Sequence, residues 1–319
     1  MASPNTNYTE IISTTLDNYR DTLADNVTNN NALLVYMKKS GNADPAAGGA
    51  KLLENLMYED NGTFRWYSGY ETLDVAQSEV LTSASFDWKQ ANANVTISGL
   101  EELQNASRQQ IHNLVKSRIK VAEATMANQV GAALFYSNTE NGGKAIGGLQ
   151  HLISDLPTSG TVGGIDRSTN TWWRNQYYDF SGESVTASST TIQHAMNVVY
   201  LNCTRGTDSP DLIVAGYTYF TYYEESLQAQ QRFMNEKEAA GGFMGYRYKK
   251  AMVVPDVNCA NTRMYMLNTK FMHWRPHENR NFVTLDRKST VNQDASVVPL
   301  YWAGNLTCSN SSLQGVIVA

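Results

Sequence analysis

"AMVVPDVNCANTRMYMLNTKFMHW", residues 251–274, admits two readings. Cys259 beside Asp256, with His273 further on, are residue types used in active sites. The alternative is a pair of strands at residues 253–254 and 264–266, with Pro255 and Asp256 opening the turn between them. A cysteine nucleophile needs a base and a group that orients the base. A neighbouring carboxylate raises a thiol pKa rather than lowering it. The stretch therefore reads as strand, connection and strand, with Cys259 inert in the connection.

Outward from it the pattern stays mixed. "TTIQHAMNVVYLNC" (190–203) sets Ile192, Met196 and Val199 on one helical face, and "DLIVAG" (211–216) has the length and content of a buried strand. A helical "YTYFTYYEESLQAQQRF" follows, then strand-like "GFMGYRYKKAMVVPDV". The tail "VVPLYWAGNLTCSNSSLQGVIVA" is again β-type. Residues 149–155 form a short amphipathic helix after paired glycines, and residues 157–186 are Gly/Ser/Thr-rich around an aromatic island, "TWWRNQYYDF".

Residues 107–137 carry the strongest signal. Ile111, Leu114, Val115, Ile119, Ala122, Met126, Val130 and Leu134 keep a helical period, with Ser107 as the N-cap. At about 1.5 Å per residue such a helix spans about 45 Å, enough to cross a whole subunit. Before it, "TFRWYSGYETLDV" (63–75) and "SASFDWKQANANVTISG" (83–99) alternate aromatic and β-branched residues with polar ones. They read as the two arms of a long hairpin. A two-stranded ribbon is marginal alone in water, so its aromatics need a partner surface. Residues 40–51, "SGNADPAAGGAK", read as a linker, and Ile11, Ile12, Leu16, Tyr19 and Leu23 as a thin helical stripe before it. The whole is an α+β mixture with one isolated β–α alternation and no internal repeat.

Composition narrows function. Of 319 residues 17% are charged and 42% hydrophobic, and the net charge is −5. That argues against a dedicated nucleic-acid reader, which carries a basic stripe. The three cysteines are far apart and form no CxxC, so neither a zinc ribbon nor a redox pair is signalled. No secretory leader and no membrane-length apolar run is visible, and the N-x-[ST] sequons reflect an Asn/Thr-rich composition. G-x-S-x-G is absent, and in "NGGKAIGG" the residue after Lys144 is Ala145, without the hydroxyl of a phosphate loop. His273 and His277 have ligand-like spacing, but Pro276 denies them a shared helical face. The carboxylate pairs Glu101–Glu102, Glu224–Glu225 and Glu236/Glu238 lie among Gln, Lys and Asn and read as solvated helix faces. No catalytic residue, cofactor or metal site is expected.

The order of elements resembles that of tailed-phage major capsid proteins with the Hong Kong-97-like fold. Four passages carry it: the ribbon-to-spine transition at 95–134, "IGGLQHLIS" (146–154), "PDLIVAGYTYFTYYEESLQ" (210–228) and "GYRYKKAMVVPDVNCANTRMYMLNTKFMHW" (245–274). The closing "PLYWAGNLTCSNSSLQGVIV" is similar to the family's last peripheral segment. The resemblance implies an N-terminal arm and linker (1–51), an extended β-hairpin loop (52–104), a peripheral domain with the spine helix (105–185 and 266–319), and an axial domain (186–265). It implies self-assembly into hexamers and pentamers of an icosahedral head enclosing double-stranded DNA, in the virion after assembly in the host cytoplasm. Trp66, Tyr67, Phe86 and Trp88 are then candidate inter-subunit contacts, with intramolecular packing as their alternative. Implied partners are a portal protein, a decoration or cement protein, modest nonspecific contact with DNA, and no membrane. A separate scaffolding protein is expected, since no long charged helical segment precedes the arm. Lys89 and Asn305 match no cross-linking motif. Two rivals remain: an encapsulin-type compartment, and a polysaccharide-active enzyme, which would need carboxylates across an aromatic cleft.

Overall fold

The computed structural model describes residues 31–104, 114–228, 245–289 and 293–319. The helical stripe at 11–23, Ser107, Ile111 and the Glu236/Glu238 pair lie outside them.

Helix α1 (Ala32–Lys39) opens the described chain. Asn31 caps it by accepting from the Leu34 amide at 2.9 Å, and two lysines close it. Its Leu33, Leu34 and Met37 are buried. The 40–51 segment is no free linker. Residues 42–46 run parallel to β11 (Met272–Pro276) as an added edge, with Asp44 N–H donating to the Trp274 carbonyl at 3.0 Å and Ala46 N–H to Pro276 at 2.9 Å.

The hairpin exists with other arms than the sequence pattern suggested. β1 (Leu52–Met57) pairs antiparallel with β2 (Leu81–Phe86), Leu52 opposite Phe86 and Met57 opposite Leu81. Residues 63–75, expected as a strand, belong to a long loop that closes the hairpin. β3 (Lys89–Ser98), expected to complete the same arm, leaves it and pairs along β14 (Ala295–Cys308). β14 also takes β11, β12 (Val283–Thr284) and β13 (Lys288–Ser289).

A reciprocal capping box links β3 to helix α2 (Gly99–Gln104). The Ser98 amide donates to Glu101 Oε2 at 3.1 Å, and the Glu101 amide to Ser98 Oγ at 3.3 Å. Glu101 is no solvated carboxylate: it is buried and holds Arg118 of α3 (Leu114–Ala133) through both oxygens, at 3.0 and 3.2 Å. Within α3 the expected stripe holds. Val115, Ile119 and Ala122 pack on Val95, Ile97 and Val298, while Met126, Val130 and Leu134 enter the main core. Its 20 described residues span about 30 Å. After it the chain doubles back on Gly148, which packs against the carbonyls of Ala133 and Leu134 where any side chain would collide with backbone. Helix α4 (Leu149–Leu152) follows, then the small hairpin β4 (Thr161–Val162) and β5 (Ile165–Asp166).

The second half builds a six-stranded sheet in the order β6-β15-β10-β7-β9-β8. Its strands are β6 (Gln176–Asp179), β7 (Leu212–Ala215), β8 (Tyr246–Tyr248), β9 (Ala251–Pro255), β10 (Arg263–Leu267) and β15 (Gly315–Val318). Helices α5 (Ile192–Asn202) and α6 (Tyr217–Gln228) contribute Met196, Val199, Tyr219 and Tyr223 to the core that also holds Ile213, Val253, Met264 and Ile317. The 251–274 stretch supplies the two expected strands, β9 and β10, and the start of β11, but β9 and β10 are not partners. β7 lies between them, parallel to β9 and antiparallel to β10. β7, α6 and β9 thus form the β–α alternation seen in the sequence. The sheet also draws β6 and β15 from outside residues 186–265.

Candidate assembly interface

The β1–β2 hairpin has a fixed root and an unsupported tip. On its inner face Leu52, Leu56, Ala84 and Phe86 are buried. Glu54 sits among them, 7% exposed. It accepts from Arg275 of β11 at 3.0 and 3.2 Å and from the Thr307 hydroxyl of β14 at 2.8 Å. A bidentate, charge-assisted fork with a third donor is a strong directional tie. Trp88 closes the root: its indole N–H donates to the Gly49 carbonyl at 2.9 Å, and its ring lies 5.4 Å from that of His277. Asn305 Nδ2 donates to the Asp87 carbonyl at 2.8 Å.

The outer face and tip present apolar groups to solvent. Leu53, Met57 and Leu81 are exposed on the outer face, Met57 and Leu81 directly across from one another. In the connecting loop Phe64, Trp66, Tyr67, Tyr70, Leu73 and Val75 are all at least half exposed, with Trp66 at 89%. Phe64 and Trp66 meet edge to face at 5.7 Å. Isolated exposed apolar residues are ordinary, but a run of this kind on one projection marks a contact surface.

The four aromatic candidates therefore separate. Trp66 and Tyr67 lie on the exposed tip, Phe86 is buried in this chain's own core, and Trp88 is half-buried at the root. Sequence alternation alone could not separate them, because an aromatic that seals a core and one that awaits a partner look alike.

The remaining chemistry-bearing residues are held in packing roles. Cys203, Cys259 and Cys308 are free and buried. Burial pushes the thiols of Cys259 and Cys308 up to about 12, and that of Cys203 further still. His273 lies between Asp44, at 3.3 Å, and Ser309, at 3.5 Å. Glu224 accepts from the Tyr246 hydroxyl at 2.7 Å. Among the described residues no group of three His, Cys, Asp or Glu can hold a metal ion, and no helix is long and apolar enough to cross a membrane. Asp155 and Asp179 share a cleft of about 280 Å³ with Arg263, which is ion-paired to Asp155. No aromatic ring lines that cleft.

A hairpin fixed at its root and exposed at an aromatic tip thus projects from an α+β body. No family model matches the chain, and no curated protein does. Solved structures do. The capsid of cyanophage A-1(L) superposes with a TM-score of 0.72 at 14% identity, covering 95% of this chain and 96% of that one. The capsid of Myoviridae phage XM1 gives 0.60 at 11%, covering 95% and 96%. The SrpI encapsulin complex of Synechococcus elongatus PCC 7942 gives 0.58 at 7%, covering 93% and 91%. The fold is that of shell-forming proteins. It is, more particularly, the tailed-phage major capsid protein fold.

Proposed function

We propose that the chain is the repeating subunit of a tailed-phage head with the Hong Kong-97-like architecture. Copies assemble as hexamers and pentamers into an icosahedral shell that encloses double-stranded DNA. The observation that carries this reading is the solvent-exposed aromatic tip on a hairpin whose root is fixed by Glu54, Arg275 and Thr307. Burying that tip on a neighbour, repeated by symmetry, makes many modest contacts into a stable shell. Residues 52–104 act as the extended loop, 105–185 and 266–319 as the peripheral domain, and 186–265 as the axial domain, with Trp66 and Tyr67 as inter-subunit anchors. Scaffolding, portal and decoration proteins complete the particle, and contact with DNA is modest because the net charge is −5.

The test is light scattering and negative-stain microscopy of the purified chain, alone and with co-expressed scaffolding protein. Closed shells are expected with the scaffold. The pair Trp66→Ser and Tyr67→Ser leaves the unfolding midpoint unchanged and abolishes shells. Wild-type chain that stays monomeric in every condition, or a double variant that assembles normally, refutes the reading. A second reading, an encapsulin-type compartment, is favoured by the match to an encapsulin. Particles purified from the native source decide between them by content, nuclease-protected DNA or a cargo protein.

A further inference from the structure

We propose that Asn61 and Gly62, at the entrance to the exposed tip, form a self-modifying site at which the Asn61 side chain converts through a succinimide to aspartate and isoaspartate. The sequence has two Asn-Gly pairs, at 61–62 and 141–142. In the reaction the Gly62 backbone nitrogen attacks Asn61 Cγ. The N–Cγ bond forms, the Cγ–Nδ2 bond breaks, and ammonia leaves with the proton from the backbone nitrogen. Water then adds to one of the two ring carbonyls. Opening at Cγ yields aspartate, and opening at the main-chain carbonyl yields isoaspartate. No electron transfer is involved, and water is the only co-reactant.

The local geometry favours attack at 61–62. Both residues are exposed to solvent. Two donors converge on the Asn61 carboxamide oxygen: the Thr63 amide at 3.1 Å and the Thr63 hydroxyl at 2.7 Å. They stabilise the negative charge that develops on that oxygen as the tetrahedral intermediate forms. They also hold the side chain over the backbone that follows it, which favours ring closure. Gly62 leaves its nitrogen unshielded, having no Cβ. Each pair sits in a turn, the first closed by Phe64 N–H to the Asn61 carbonyl at 3.2 Å. Asn141 and Gly142 are both left-handed, with φ of 53° and 65°. Their turn is closed likewise by Lys144 N–H to the Asn141 carbonyl at 3.4 Å, and it is tied further from β3 by Lys89 Nζ to the Gly143 carbonyl at 2.5 Å. Attack there requires the tie from β3 to release and the left-handed pair to rearrange.

Conversion at Asn61 adds a carboxylate directly after Glu59 and Asp60 and just ahead of Phe64 and Trp66. The isoaspartate form also inserts one methylene into the main chain, which re-aims the tip.

The purified full-length chain is incubated at mildly alkaline pH, then mapped by peptide mass spectrometry and isoaspartate methyltransferase labelling. The 61–62 peptide is expected to convert at least about tenfold faster than the 141–142 peptide, a barrier difference of about 1.4 kcal/mol. In denaturant the two rates converge. Gly62→Ala is the main control, because a Cβ there meets nothing within 4 Å and the residue is not left-handed. It slows conversion without unfolding the chain, and Thr63→Val slows it by removing one donor. Equal rates at the two pairs in the folded chain, a difference that persists in denaturant, or Gly62→Ala converting as fast as wild type would overturn the proposal. This readout needs no shell and stands apart from the assembly test.

Discussion

Glu54→Ala tests whether the hairpin is held by its buried carboxylate. The substitution removes the acceptor for Arg275 and for the Thr307 hydroxyl together. Breaking a buried ion pair from one side costs about 3–5 kcal/mol when the survivor stays buried. Here the Arg275 side chain is 26% exposed and turns partly to water, so about 2 kcal/mol is the fitting figure. Thr307 is fully buried, and loss of its acceptor adds about 1 kcal/mol. The expected total is about 3 kcal/mol, read as a lower urea midpoint by tryptophan fluorescence and as faster amide exchange in β1 and β2. Replacing both charges, with Glu54→Met and Arg275→Met, recovers all but about 1 kcal/mol, since no charge is then stranded. Glu54→Ala costing under about 1 kcal/mol, or a double variant as unstable as the single one, would refute the reasoning.

Three further outcomes follow from the packing. Gly148→Ala drives a Cβ into the carbonyls of Ala133 and Leu134, so it costs about 2–3 kcal/mol, measured by denaturant titration. Burial, with the charges of Arg167 and Lys89, lowers His151 from 6.5 to about 4. The unfolded chain therefore binds the proton first, and stability falls as pH drops from about 6.5 towards 4; His151→Gln flattens that slope in urea melts at successive pH values. Cys203, Cys259 and Cys308 resist alkylation in the folded chain and react together on unfolding, as read by intact mass; rapid labelling of any one in the native protein contradicts their burial.

What the sequence made legible was local and apolar. β7, α5, α6 and the α3 stripe each declare themselves by a run or a period that tertiary packing did not override. The hairpin was misplaced because its buried face includes Glu54, which disguises "LLENLM" as a polar stretch. The richer aromatic alternation at 63–75 marks a surface instead. α1 had a usable signal in Asn31 followed by Leu33, Leu34 and Met37. The edge at 42–46 had none, because its bonds are main-chain to main-chain. Strand order was equally hidden: nothing within residues 251–274 says that a strand from 212–215 will lie between β9 and β10. The aromatics were legible as ribbon residues in need of a partner surface, but not which of them, Trp66 and Tyr67 and not Phe86, stay exposed.

One arrangement bears on when the chain can complete its fold. β14 and β15 follow every other described strand in chain order, yet β14 is the common partner of β3, β11, β12 and β13, and β15 lies between β6 and β10. A nascent chain emerging from the ribosome therefore completes neither large sheet until those residues have cleared the exit tunnel. Arg275 can meet Glu54 earlier, but the Thr307 bond and the full seat of the hairpin wait for the same moment. Long-range pairing of this kind is slow and late. A ribosome-bound chain thus carries an incompletely seated hairpin until residues 295–318 have emerged.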